Sequence, residues 1–238
     1  MPKSAPRGIS FLKKKENRYL WYILILPAYL IAFALVEALV PESICWPTYL
    51  PIDDKIPFLE GFVIPYFLWF PMIFCMGLYL VIRDHEGFKR YMTFIGVAFF
   101  TTLLIYCIFP NKQELRPVQF PRDNVLTRLV ATIYASDTNT NVCPSIHVIG
   151  SFGVVFALQH CRRLRNKAWL RFFIIVGAAL VSISTVFVKQ HSLLDILVAI
   201  PFSILMYFLV YRLIFRPRRQ KTRTDAQEQA PSALSSEE

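Results

Sequence analysis

The stretch His191–Ile214, HSLLDILVAIPFSILMYFLVYRLI, is almost wholly apolar, yet it opens on a histidine and carries a carboxylate four positions later. A helix needs ~20 apolar residues to cross the ~30 Å hydrocarbon core of a bilayer, so Ser192 to Ile214 is long enough to span one. A lone carboxylate in such a segment is costly, and carboxylates found there usually pair and mark a functional path. On a helix, His191 and Asp195 share a face, so one imidazole nitrogen is the natural partner for the acid and the other stays free as nucleophile or base. A polar pair that merely locks two helices together is the alternative reading.

Working outward, five more apolar runs appear: Trp21 to Val40, Phe62 to Ile82, Tyr91 to Phe109, Ser145 to Gln159, and Trp169 to Val188. The composition agrees, with 55% hydrophobic, 15% aromatic and 18% charged residues in 238. The expected fold is all-α: a polytopic membrane protein with six transmembrane helices spanning residues 21–214, preceded by a basic arm (1–20) and followed by a tail (215–238). The tail has too few apolar residues to bury and is expected to be disordered. The fourth run is short for a full crossing, which places its start below the membrane surface, at the floor of a cavity.

Lys and Arg divide unevenly between the two sets of connections. The arm, Arg83 with Lys89 and Arg90, the RRLRNKAWLR loop and the segment from Arg212 onward hold most of them, whereas the other side has only Lys55, Lys112, Arg116, Arg122, Arg128 and Lys189. By the positive-inside rule both termini are cytoplasmic. The same rule accounts for the net charge of +10, so nucleic acid is not an expected partner. The first run has a positive flank but is too long for a signal peptide core and lacks a cleavage site, so it reads as a retained anchor. Of the five cysteines, Cys75 and Cys107 fall inside spans; Cys45 and Cys143 share the outer side, as free thiols or as a disulfide.

The two long connections, Pro41 to Gly61 and Pro110 to Pro144, both lie outside, where loops on a rigid scaffold tend to hold function. Within the second, Leu126, Leu129, Val130 and Ile133 form one face of a short helix, with Asp123 as its expected N-cap, lying at the interface or packed on the bundle. Asp53 and Asp54 read as part of a solvated turn, and Glu37, near the outer end of the first span, as able to snorkel to the interface. His85 and His160 read as cytoplasmic surface residues.

The expensive polar groups all fall on the outer side: Arg116 after the third run, Ser145 and His147 at the start of the fourth, His191 and Asp195 at the start of the sixth. Pro144 suits the first turn of a helix, whose free N–H groups and positive dipole end make an anion site. Lys112, Arg116 and Lys189 add positive charge. Two histidines, a carboxylate, a helix N-terminus and an arginine suit a phosphate attacked by one imidazole and released by proton donation from the other. A two-histidine, one-carboxylate metal site from the same residues is the rival chemistry.

Three segments carry a family resemblance: KQELRP (Lys112 to Pro117), PSIH (Pro144 to His147) and STVFVKQHSLLD (Ser184 to Asp195). Their order resembles the K-x6-R-P, P-S-G-H and S-R-x5-H-x3-D motifs of the type 2 phosphatidic acid phosphatase superfamily, membrane lipid phosphatases related to vanadium haloperoxidases. The resemblance implies a lipid phosphate or pyrophosphate phosphatase acting through a phosphohistidine, without metal or cofactor, at the extracytoplasmic face; a bacterial plasma membrane is the expected location, and in a eukaryote the same topology places the site in the ER or Golgi lumen. His191 becomes the nucleophile, Asp195 its orienting partner and His147 the general acid; Lys112, Arg116 and Ser145 bind the phosphate, with Lys189 as a substitute charge. Three departures stand out. The lysine precedes the arginine by four positions instead of seven, Thr185 replaces the arginine after the serine, and Ile146 replaces the glycine. The last two are similar to the sphingomyelin and inositol phosphorylceramide synthases, so transfer of a phospho-head-group is the alternative activity.

Overall fold

The computed structural model describes residues 15–216, which fold as a mostly helical bundle. The expected tail beyond residue 216 and the basic arm before residue 15 lie outside the described residues. A 3-10 stretch Lys15–Leu24 runs into helix α1 (Ile25–Leu39); α2 (Val63–Phe67) and α3 (Trp69–Arg83) follow one another, and α4 is His85–Ile108. A short helix, α5 (Val125–Ser136), sits in the second long connection, followed by α6 (Ile146–His160), α7 (Ala168–Phe187) and α8 (Leu193–Tyr207), the last continuing as a π-helical turn, Phe208–Ile214. Five of these helical stretches are long and apolar enough to cross a membrane: Asn17–Leu39, Glu60–Arg83, His85–Ile108, Ala168–Phe187 and Leu193–Ile214.

The fourth apolar run is different. At 15 residues, α6 is ~22 Å long, short of the ~30 Å hydrocarbon core. It is also the centre of the bundle, packed against α3, α4, α7 and α8. Close approach depends on Gly150, where a Cβ would fall 2.7 Å from Ile73 Cδ1 and 2.9 Å from Trp69 Nε1. Side chains that face away from this centre, such as Leu30, Ile31, Leu35, Phe172 and Phe173, are exposed and apolar, as lipid contact requires.

The two long connections are joined to each other. Trp46–Pro47 (β1) pairs in parallel with Asn111–Lys112 (β2), a small sheet inside an otherwise helical chain. Helix α5 is capped by Asn124, not Asp123: the Asn124 side chain accepts from Leu126 N and Thr127 N, while Thr127 Oγ1 accepts from Asn124 N. Asp123 instead pairs with Arg128 on the surface. The helix packs its Val130 and Ile133 against Val63, Tyr66 and Val188, whereas Leu129 is exposed. All five cysteines are free.

Candidate active site

The site forms where the starts of α6 and α8 meet. Helix α8 begins with a capping box: Ser192 Oγ accepts from Leu194 N, and Ser192 N donates to Asp195 Oδ2 at 3.0 Å. A second carboxylate completes the cap. Asp53 is fully buried and accepts from Ser192 Oγ and from Leu193 N, both at 2.9 Å, and from Leu50 N at 2.8 Å. This overturns the solvated turn expected of Asp53. Orphan N–H groups at the buried start of α8 need an acceptor, and the first long connection supplies one.

Asp195 Oδ2 lies 3.1 Å from His191 Nδ1, and His191 Nε2 lies 3.2 Å from His147 Nδ1. All three side chains are buried. An ionised carboxylate can only accept, so the proton of His191 sits on Nδ1 and the lone pair on Nε2; His147 then donates its Nδ1–H to that lone pair. The three groups therefore form a chain, Asp195 and His147 meeting opposite edges of one imidazole. They do not converge on a common point, and no metal-binding set of three His, Cys, Asp or Glu side chains occurs among the described residues. The ring of His147 is flanked by Tyr66 and Trp69, with centroids at 4.8 and 4.7 Å.

Ser145 is the N-cap residue of α6, and its backbone N donates to Asp195 O at 3.3 Å, joining the two helix starts. Ser145 Oγ and Asp195 Oδ1 are buried without a hydrogen-bond partner among the described residues. The approach to Ser145 is clamped by Asn111, a residue the sequence motifs pass over. Its Nδ2 donates to Phe109 O and Cys143 O, and its Oδ1 accepts from Val142 N and Cys143 N, all at 2.8–2.9 Å. Tyr106 donates to Pro144 O.

The cations are arranged differently from the imidazoles. Arg116 donates to the carbonyls of Tyr134, Asp137 and Thr138 and to Gln190 Oε1 at 2.6 Å, with its guanidinium 4.4 Å from the Tyr134 ring centroid. It thus stands one residue from His191 while holding the 134–138 segment. Lys112 lies apart, its Nζ paired with Glu114 at 2.6 Å and Glu42 at 3.5 Å. Lys189 falls between α7 and α8, in the left-handed region at φ 55°. Its Nζ donates to Asp53 O and Ile56 O, and burial there lowers its pKa. Thr185, where the family motif has arginine, accepts Gln190 N and His191 N on its carbonyl and donates its hydroxyl to Ser182 O.

Two acids complete the rim. Glu37 accepts from Thr138, Thr140 and Asn141, fixing the segment ahead of α6 to the first helix. Asp137 Oδ2 accepts from Gln190 Nε2 at 3.2 Å. Of the two histidines read as surface residues, His85 is exposed, its ring stacked on Tyr19 at 4.0 Å, whereas His160 is half-buried, 3.1 Å from Tyr207 Oη.

No curated protein and no solved structure matches the chain. The family model of the PAP2 superfamily matches residues 96–219, which include Lys112, Arg116, Ser145, His147, His191 and Asp195. That match covers just over half of the 238 residues, and the chain belongs to the PAP2 superfamily.

Proposed function

We propose that the protein is an integral-membrane lipid phosphate or pyrophosphate phosphatase that works through a phosphohistidine at His191. The observation that carries this reading is the chain Asp195, His191, His147 at 3.1 and 3.2 Å. Asp195 holds the Nδ1–H; once bound substrate displaces His147 from Nε2, that lone pair attacks phosphorus, an N–P bond forms and the ester P–O bond breaks. His147, taking up the proton that the phosphate monoanion brings as it binds, passes it to the departing lipid oxygen. It then takes a proton from water, which attacks phosphorus, breaks the N–P bond and releases inorganic phosphate. Ser145 Oγ and the first-turn N–H groups of α6 bind the phosphoryl oxygens, with Arg116 behind them.

Head-group transfer is the second reading, favoured by the engagement of Lys112 and Lys189 elsewhere and by Thr185 in the place of an arginine fork. Phosphatidic acid, phosphatidylglycerol phosphate and a polyprenyl pyrophosphate, offered to purified protein in detergent, decide between the two. Release of inorganic phosphate is expected for the phosphatase. Lipid consumed only when an alcohol acceptor is supplied identifies the transferase. No reaction of any lipid under either condition contradicts both.

The site is assigned to the outer face of the membrane, with both termini cytoplasmic. Cys45 and Cys161 are buried and make poor reporters of this. In a cysteine-free background, Asp123→Cys is expected to react with an impermeant maleimide in intact cells and Asn166→Cys, exposed in the loop between α6 and α7, only after lysis. The opposite pattern inverts the topology.

A further inference from the structure

The positive-inside rule explains why arginines gather at the end of the bundle away from His147 and His191, but not why four of them face one cavity. Arg83 ends α3, Arg90 lies in the second turn of α4, and Arg162 and Arg163 follow α6; with His160 they line a hollow of about 440 Å³, the size of a small-ligand site. None of the four has an ion-pair partner among the described residues. The two acids that reach the cavity are engaged. Asp84 Oδ1 caps α4 by accepting from Gly87 N at 2.9 Å, and Glu86 pairs with Lys89 at 2.6 Å. Arg165 and Arg171 lie apart from the cavity, beside Gln159 and Asn166.

Two buried donors here are left over. Arg90 Nε has no hydrogen-bond partner among the described residues, and neither has Oη of Tyr211, whose ring centroid lies 4.5 Å from that of His160. Guanidiniums gathered without a counter-ion repel one another, and a buried N–H without an acceptor costs free energy, so an anion in the cavity relieves both. The planar fork of arginine matches the oxygens of a phosphate, which selects that group over a spherical anion. Basic pockets between membrane helices hold anionic head groups in this way.

We propose that this cavity is a second site, which binds a phosphate-bearing anion at the end of the bundle opposite the candidate active site. Its occupancy does not depend on the chemistry assigned to His191. Helix α6 joins the two sites, with His147 in its first turn and His160 at its end, ~20 Å apart along the axis. A bound phosphate ties the end of α3, the start of α4 and the segment after α6 to one another. An anionic lipid of the adjoining leaflet and free inorganic phosphate offer the same oxygens, and competition between them tells the two sources apart.

The test is isothermal titration of full-length His191→Ala protein in detergent, a background chosen to leave lipid unconsumed, with short-chain phosphatidylglycerol, short-chain phosphatidylcholine and inorganic phosphate. Saturable binding of phosphatidylglycerol is expected, tighter than that of phosphatidylcholine, whose ammonium would meet the arginines. Adding Arg90→Gln is expected to weaken it about 10-fold or more and Arg163→Gln about 3- to 10-fold. Arg165→Gln, an exposed charge outside the cavity, is expected to change it less than about 2-fold. Displacement of the lipid by inorganic phosphate supports a site that free phosphate can fill; failure to displace it supports a lipid head-group site. If Arg90→Gln does not fold, the exposed Arg163→Gln carries the test. Three results overturn the proposal: no saturable binding of lipid or phosphate, affinity unmoved by Arg90→Gln and Arg163→Gln, or an equal loss in Arg165→Gln, which marks a general attraction to a basic surface.

Discussion

Replacing His191 by alanine is expected to lower turnover of any lipid substrate by about 10³-fold or more, with the protein still folded. The imidazole is buried, but its hydrogen bonds are made with the two groups it works beside, Asp195 and His147. The scaffold around it is held independently. Asp53 caps α8 at Ser192 and Leu193, Gln113 Nε2 and Tyr134 Oη satisfy the carbonyls of Lys189 and Val188, and Thr185 O accepts the backbone N–H of His191. Thermal unfolding in detergent should therefore change far less than activity. Turnover within about 10-fold of the unaltered protein would remove His191 from the role of nucleophile.

The second large effect belongs to His147 and depends on the leaving group. With an alkyl ester, whose oxygen departs only when protonated, His147→Ala is expected to cost about 10²–10⁴-fold. With a nitrophenyl ester, which departs as a stable phenolate, formation of the intermediate should be nearly restored. Hydrolysis of the intermediate still lacks its base, so nitrophenol should appear as a burst of one equivalent followed by a slow phase. Equal losses on both esters would show that the 3.2 Å contact between the imidazoles is structural, a brace between α6 and α8, and not a proton path.

The sequence exposes the parts of this molecule that depend on local pattern. The apolar runs locate the helices because lipid allows no other use for them, and the short fourth run, α6, is the helix that the others surround. The i, i+4 spacing of His191 and Asp195 predicts their contact, which is a helical one. His147 could be assigned to the same side of the membrane, but its 3.2 Å approach to His191 spans 44 positions and needs the packing of α6 on α8.

What the sequence hides is the direction of long side chains and the partners of loops. Lys189 lies two residues before His191, yet its left-handed backbone sends the ammonium to the carbonyls of Asp53 and Ile56, more than 130 positions away. Lys112 sits in a motif position, yet its ammonium is paired with two glutamates, Glu114 at 2.6 Å and Glu42 at 3.5 Å. Asp53 and Glu37 act on residues 139 and 101–104 positions distant, so no window of sequence contains both partners. The Leu193 N–H, which the capping box of α8 leaves over at a buried helix start, is the available signal for Asp53; for Asn111 and Gln190 there is none.

In the proposed mechanism phosphorus becomes bonded to His191. Rapid acid-free quenching during steady turnover, proteolysis and mass spectrometry of the peptide spanning residues 190–195 test it directly. The expected result is a phosphorus adduct on His191 that is labile to acid, disappears in His191→Ala and accumulates in His147→Ala with the nitrophenyl ester. Turnover at full rate with the adduct on another residue, or with none on His191 under conditions that accumulate it, would contradict a phosphohistidine at this position.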